Sequence, residues 1–438
     1  MEKIVNLAKR RGFVFQDAEI YGGLANAWDY GWLGVELKKN IRDEWWNWFV
    51  RRRIDMLGID PVVIMNPKVW EASGHLKEFV DPLMECKSCH QRFRNNDDDN
   101  DNDTKKCPNC GGADFTEPKQ FNLLFKTFLG STEEKAAEVY LRPELAQAMF
   151  VNLPQILQQA RPELPFGIAA QGRVFRNEIT PGNFIFRTRE FELMEFEYFV
   201  RPEEWQKYFD YWLEEMKRWL KHLAVADERL HFTEIPAGER AHYSSRTIDI
   251  EYDYPFGRKE LYGLAYRGDY DLKAHKIDFS AHVIEPTFGL DRSVLVAMLE
   301  AYNEEILNPK SEILNKSKIQ NSNDQNTDNK RTVMRFPVWL APFKAAVLPL
   351  SKKPELEKIA KPIHQDLRAA GIVTDYDETQ SIGRRYRRQD EIGTPYCITV
   401  DFETIKDKAV TVRDRDTMKQ ERVEIARLKE ILSEKLKG

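Results

Sequence analysis

Apolar positions recur at helical spacing in two long stretches of this chain. The first runs from about Val35 to Arg53 and ends in the cluster Trp45, Trp46, Trp48 and Phe49. The second follows Pro202, where Trp205, Phe209, Trp212, Met216, Trp219 and Leu223 fall on one helical face. Charges interrupt both stripes at every turn, so they predict helices laid on a core or a dimer interface rather than membrane spans. Between them the period falls to two. RVFRNE (from Arg173) and FRTREFELMEFEYFV (to Val200), with Pro181-Gly182 between them, predict an antiparallel hairpin with a longer loop. Arg176 and Glu178 are expected to share a face of its first strand. On the second strand Phe191, Leu193 and Glu195 share one face, and Glu192, Met194, Phe196 and Tyr198 the other. Farther on, HVIEPTFGLDRSVLVAML predicts a strand that breaks at Glu285-Pro286, then a helix opened by Gly289 with Arg292 in its first turn.

Two polar stretches interrupt this texture. Residues 95–103 read NNDDDNDND, a solvated loop with nothing to bury. Residues 311–331 are rich in Asn, Ser, Asp and Lys and hold no aromatic residue, which predicts a linker. Beyond it strands and helices alternate: Ala345–Leu350, a helix near Glu355–Ala370, Ile372–Tyr376, a helix near Ile382–Ile392, then Ile398–Asp401. The organisation expected is an α+β domain over 1–310, a linker over 311–334 and a smaller α/β domain over 335–438. A chain of 438 residues exceeds what one ordinary core supports.

Composition narrows the classes. Apolar residues at 42% and charged residues at 31% are ordinary for a globular chain, and no apolar run approaches the roughly 20 residues a bilayer requires. The start carries basic residues but no apolar core or small-residue cleavage site, so a cytoplasmic protein is expected. A net charge of −5 argues against nonspecific coating of nucleic acid, but leaves room for local basic patches. Cys86-x2-Cys89 and Cys107-x2-Cys110, 17 residues apart, have the spacing of a structural zinc site over an insert at 85–112. A closed set of four thiolates has no open position for chemistry. Cys397 lies in a strand-like run and is expected in a core.

The hairpin carries the most telling chemistry. An Arg, two carboxylates and a Phe suit a nucleotide: guanidinium for phosphate, ring for stacking, carboxylate for an exocyclic amine. A solvated strand face with ordinary ion pairs is the plainer reading of the same residues. Arg292 beside a helix N-terminus favours bound phosphate.

Together these pieces are more specific. Phe175-Arg176-Asn177-Glu178 resembles motif 2 of class II aminoacyl-tRNA synthetases, Gly289-Leu290-Asp291-Arg292 resembles motif 3, and Val35–Pro67 resembles motif 1. Blocks along nearly the whole chain are similar to dimeric glycyl-tRNA synthetases: YGWLGVELKKNIRDEWW, EASGH, YLRPELAQ, FRNEITPGNFIFRTREFELMEFEYF, YRRQDEIGTP and VTVRDRDTM. The resemblance implies a class II antiparallel-sheet catalytic domain with a zinc-ribbon-like insert, followed by an α/β anticodon-binding domain. It also implies a glycine–tRNA ligase that forms glycyl-adenylate from glycine and ATP and passes glycine to the 3′ end of tRNA(Gly), working as a homodimer.

By the same resemblance Arg176 binds the ATP α-phosphate, Arg292 the γ-phosphate, and Glu260 a magnesium ion, these three being catalytic. ATP contacts also fall to Asn177, Glu178, Phe186, Arg187, Thr188, Arg189, Glu190, Phe191, Leu261, Gly289, Leu290 and Asp291. The glycine site takes Arg94, Glu144, Phe191, Glu192, Leu193, Met194, Glu195, Glu285, Pro286, Thr287, Phe288 and Gly289, with Glu144, Glu195 and Glu285 around the ammonium. Arg384, Arg385, Arg387 and Arg388, around Tyr386, are placed on tRNA. Thr287 departs from the usual Ser, and Asp291 from the Gly of many class II enzymes, though glycine-specific members often carry this Asp. Glycine has no side chain to grip, and rejecting anything larger is sterically simple, which fits the lack of an obvious editing domain. Alternatives are a class II synthetase for another amino acid, or a non-catalytic synthetase-like accessory subunit.

Overall fold

The computed structural model describes residues 1–94, 106–107, 109–131, 134, 137–306 and 330–436. The polar stretch 95–103 and most of the expected linker lie outside them.

A seven-stranded sheet organises the first domain, in the order 230–234, 246–254, 257–268, 282–289, 190–200, 166–175 and 56–58. All pairs are antiparallel except the last. Its two faces follow the period of two. Met194, Phe196 and Tyr198 point to a core built on Trp45, Phe49, Trp212, Trp219 and Phe288, while Leu193 and Phe199 pack with Met149, Phe150 and Leu153 on the other side. Both aromatic stripes are therefore core. The first forms helix Trp32–Trp46, prolonged by a wider π-helical turn Asn47–Arg51, and the second forms helix Trp205–His222. Gly34 fits there because Phe13 O crosses the helix so closely that an added Cβ would lie 2.0 Å from it.

The strand expected to break at Pro286 does not. It runs His282–Gly289 between two neighbours. Thr287 pairs with Glu195 and Ile284 with Tyr198 in one register, and the two positions between drop out of that ladder. Proline has no N–H to donate, so the ladder skips it rather than stopping. On the other edge Pro286 still faces Leu264.

The expected linker is also partly ordered. Tyr302–Ile306 and Lys330–Met334 pair antiparallel, so residues 330–334 form a strand at the domain junction. Arg331 is buried there, donating to Asp390 at 2.8 Å and to the Arg415 carbonyl at 2.5 Å. Beyond it a five-stranded mixed sheet runs 374–376, 345–349, 396–400, 409–414 and 420–424, with parallel pairs among the first three. Helices Pro354–Ala369 and Ile382–Ile392 flank it, as the alternating pattern predicts. Cys397 is buried in its centre and burial pushes its thiol up to about 12. Among the described residues no helix is long and apolar enough to cross a membrane.

Candidate active site

Strands Phe166–Phe175 and Glu190–Val200 pair over ten positions, and the loop between them forms one wall of the site. The first strand ends at Phe175, so Arg176 and Glu178 sit in the loop rather than on a strand face. There the Glu178 amide donates to the Arg176 carbonyl at 2.7 Å and turns the chain. The loop is pinned from afar. The Asn26 Nδ2 donates to the carbonyls of Arg187, Phe184 and Gly182 at 2.7, 3.0 and 3.4 Å, and the Trp28 indole donates to Asn26 Oδ1. Nothing periodic surrounds Asn26, so sequence reasoning missed it.

This wall closes a cavity of about 310 Å³ that brings together Arg176, Glu178, Phe186, Arg187, Thr188, Phe191, Glu260, Leu261, Gly289, Asp291 and Arg292. Arg94, Glu192, Leu193 and Thr287 reach it too. The two arginines are held flat on rings. The Arg176 guanidinium lies 5.4 Å from the centroids of both Phe79 and Phe191, with its Nε on the Pro143 carbonyl. The Arg292 guanidinium lies 4.5 Å from the Phe186 centroid and donates to Glu260 Oε2 at 3.0 Å and the Glu260 carbonyl at 2.9 Å. Such stacking fixes the planar fork and leaves donors for phosphate oxygens. Arg292 also stands in the first turn of helix Leu290–Ala301, whose free N–H groups favour an anion. Asp249, a residue sequence reasoning did not single out, is pushed up to about 7 by burial and by Glu260 and Glu251 beside it.

Asp291 plays a different part from phosphate contact. Its Oδ1 accepts from Tyr30 and Lys38 and its Oδ2 from the Glu192 amide, tying the helix start to strand 190–200 and helix 32–46.

Behind the cavity the three expected acids are grouped and buried. Glu144 pairs with His75 at 3.1 Å and accepts from Gln147. Glu195 accepts from the Leu145 amide at 2.5 Å. Glu285 pairs with Arg267 at 2.9 Å. Arg267, also missed from sequence, is 1% exposed; it holds both oxygens of Asp271, and its guanidinium lies 3.6 Å from the Tyr243 centroid. Burial together with Glu285 and Glu144 pushes Glu195 up to about 8, whereas His75 and Arg267 pull Glu144 well below the usual carboxylate range despite its burial. Burial and the neighbouring carboxylates therefore favour the protonated form of Glu195. Its folded value lies above the unfolded one, so this group's contribution to stability falls as pH rises from about 4.5 toward about 8. A bound ammonium reverses the preference. Glycine binding is expected to release a proton below pH 8 and to tighten with rising pH. Calorimetry in buffers of different ionisation enthalpy reads that release, and uptake of a proton instead would refute the assignment.

Several expected contacts are not brought to the site. Asn177, Arg189 and Glu190 line an adjoining groove instead of the cavity. Met194, Phe288 and Leu290 are buried in the aromatic core, and Pro286 shares the face of Phe288. Alternation decides this for Met194, Pro286 and Phe288: Glu195 and Glu285 occupy odd positions of the two strands, so the even positions point the other way. Glu192 reaches the cavity but stands apart from the three acids, pairing with Lys38 and Arg42. In the second domain Arg385 is withdrawn from any RNA surface. It is 1% exposed and donates to the carbonyls of Pro349, Asp377 and Leu350. Arg388 is tied to Asp377, Thr379 and Gln380, while Arg384 stays exposed and Arg387 half-buried.

The cysteines meet as their spacing predicts. All four Sγ atoms lie within 4.8 Å of one another, with Cys86–Cys110 and Cys89–Cys107 at 3.6 Å. Four thiolates about 2.3 Å from one ion stand about 3.8 Å apart, so the donor set fits a tetrahedral metal.

The chain is similar to known proteins along its whole length. Residues 344–435 match the anticodon binding domain family. Over its whole length the chain is 46% identical to the glycine–tRNA ligase of Alkaliphilus oremlandii, covering 98% of that protein. The corresponding figures are 48% and 97% for Geobacillus thermodenitrificans, and 47% and 99% for Streptomyces coelicolor. The chain belongs to the glycine–tRNA ligases. It is accordingly an aminoacyl-tRNA synthetase, joining glycine to tRNA with ATP as substrate. Its fold matches prolyl-tRNA synthetase from Cryptosporidium parvum solved with halofuginone and AMPPNP, at a TM-score of 0.66 and 14% identity over 99% of this chain and 75% of that one. The fold is thus that of a class II synthetase.

Proposed function

We propose that the cavity holds ATP between Arg176 at the α-phosphate and Arg292 at the γ-phosphate. Adenine rests against Phe191 with Glu178 at its amino group. The observation that carries this reading is the pair of ring-stacked arginines at one cavity backed by three buried acids. Glycine enters ammonium first toward Glu144, Glu195 and Glu285, with Arg94 beside it and Thr287 in the wall. A glycine carboxylate oxygen then attacks the α-phosphorus, and the bond to pyrophosphate breaks. The two arginines meet charge that grows on oxygens, and positioning supplies most of the remaining rate. Magnesium held by Glu260, with Asp249 adjacent, would neutralise phosphate charge. The 3′-terminal ribose hydroxyl of tRNA(Gly) next attacks the adenylate carbonyl and loses its proton as the acyl–phosphate bond breaks and AMP leaves, while the anticodon arm of the tRNA meets residues 335–438 and the exposed arginine Arg384.

Zinc on Cys86, Cys89, Cys107 and Cys110 would knit the 85–112 insert. Exposed Ile20, Tyr21, Leu24, Trp32 and Val35 form the apolar surface on which a second copy completes a homodimer, in a cytoplasmic enzyme. The test of the site is amino-acid-dependent ATP–pyrophosphate exchange without tRNA. Exchange with glycine alone is expected. Exchange with another amino acid would overturn the pocket assignment, and silence with all amino acids would favour an accessory subunit.

A further inference from the structure

The cysteine cluster and the substrate cavity are joined by two short strands. Val80–Glu85 and Arg92–Arg94 pair antiparallel through Leu83–Arg94, Met84–Phe93 and Glu85–Arg92. Asp81 and Arg94, at the cavity ends of these strands, both line the cavity. At the far ends stand Cys86 and Cys89. Asp81 and Cys86 are five positions apart, as are Cys89 and Arg94, a span of about 17 Å when extended.

Arg94 is a demanding residue to place. Its Nη2 pairs with Asp81 at 3.0 Å, while its Nε is shut away from solvent with no partner among the described residues. The strand that carries it is three residues long, lies at the edge of its sheet, and has Val80–Glu85 as its neighbour. A three-pair ladder is marginal by itself. What fixes its start is the knuckle. The Cys86 amide donates to Gln91 O and the His90 amide to Cys86 O, Arg92 and His90 both bond Glu85, and Phe93 packs edge-on against Phe115 at 5.3 Å. Phe115 in turn bridges Cys86, and Cys107 and Cys110 approach from a separate stretch of chain. One ion on four sulfurs therefore joins two chain segments at the point where the Arg94 strand begins.

We propose that the four-cysteine knuckle is a positioning device for Arg94, so that metal occupancy sets the affinity of the cavity for glycine. The proposal rests on the metal and glycine readings above and adds the link between them. Loading the knuckle stiffens the edge strand and holds the guanidinium where the substrate carboxylate meets it. Stripping the metal frees the strand, and Arg94 is no longer held at that place beside Asp81.

The test is a cycle of four proteins: wild type and Arg94→Ala, each zinc-loaded and stripped by chelator. Zinc content is read by metal analysis, folding by circular dichroism, and glycine binding by calorimetry. Stripping and Arg94→Ala are each expected to weaken glycine binding about tenfold, the worth of one charge-assisted contact. The combination is expected to do no more than either alone, since both remove the same contact. Hydrogen exchange should also quicken over residues 80–94 in the stripped wild type. Multiplicative losses, or an unchanged affinity in stripped protein, would overturn the coupling while leaving the metal site standing. A protein that takes up no zinc would overturn the metal site and the coupling with it. Cys110→Ser, at an exposed ligand, replaces chelation should stripping unfold the protein, with the same outcomes.

Discussion

Arg176→Ala is expected to lower glycine-dependent ATP–pyrophosphate exchange about 10²–10³-fold, the usual loss when one preorganised donor to transition-state charge is removed. The fold should survive. Among the described residues the one hydrogen bond the side chain makes goes to the Pro143 carbonyl, and its rings, Phe79 and Phe191, keep their other neighbours. Loss of rate with an unchanged thermal midpoint therefore marks a residue whose work is on the substrate. A drop of less than about fivefold, well short of that donor's worth, would remove Arg176 from the α-phosphate. Arg176→Lys separates charge from geometry. A point charge on a flexible stem does not reproduce a ring-stacked fork, so most of the deficit should remain.

Arg267→Met is expected to be the most destabilising single change near the site, at about 3–5 kcal/mol, because it strands buried acids without their cation. Asp271 and Glu285 lose three direct bonds, and Glu197, buried with neither oxygen partnered, loses its nearest compensating charge. The sign of the pH dependence follows. Without Arg267, Glu285 and Glu197 sit still farther above their unfolded values. The defect should be greatest at neutral pH and shrink toward pH 5, where those groups take up protons. Urea unfolding at several pH values measures it, taking the first transition of this two-domain chain. A loss under about 1 kcal/mol, the size of an ordinary surface change, or one indifferent to pH, would show that the cluster is solvated.

These two arginines also mark what could be read along the chain. Arg176 stands inside a motif whose chemistry is local: ring, carboxylate and guanidinium within a few residues of one loop. Arg267 occupies no such motif. Its importance comes from Asp271 one helical turn on, Glu285 on the neighbouring strand, and Tyr243 from a separate loop. Asn26 is alike, since it acts on carbonyls more than 150 residues away. The arginine run at 384–388 was legible as charge but not as orientation. Helical geometry turns Arg385 inward to cap three carbonyls while Arg384 remains outside.

The sequence by itself determined the helices, the hairpin, the second domain's alternation and the four-cysteine spacing, because each follows from periods of two or 3.6 residues or from ligand spacing in one short segment. It also carried the motifs that identify the family. Only the tertiary structure decided which face of each strand carries the buried acids, that the 282–289 strand passes through Pro286, and that Arg267 and His75 pair with those acids. Those outcomes depend on which strand lies beside which and on charges buried together in a shared low-dielectric space, and neither is encoded in the spacing of neighbouring residues.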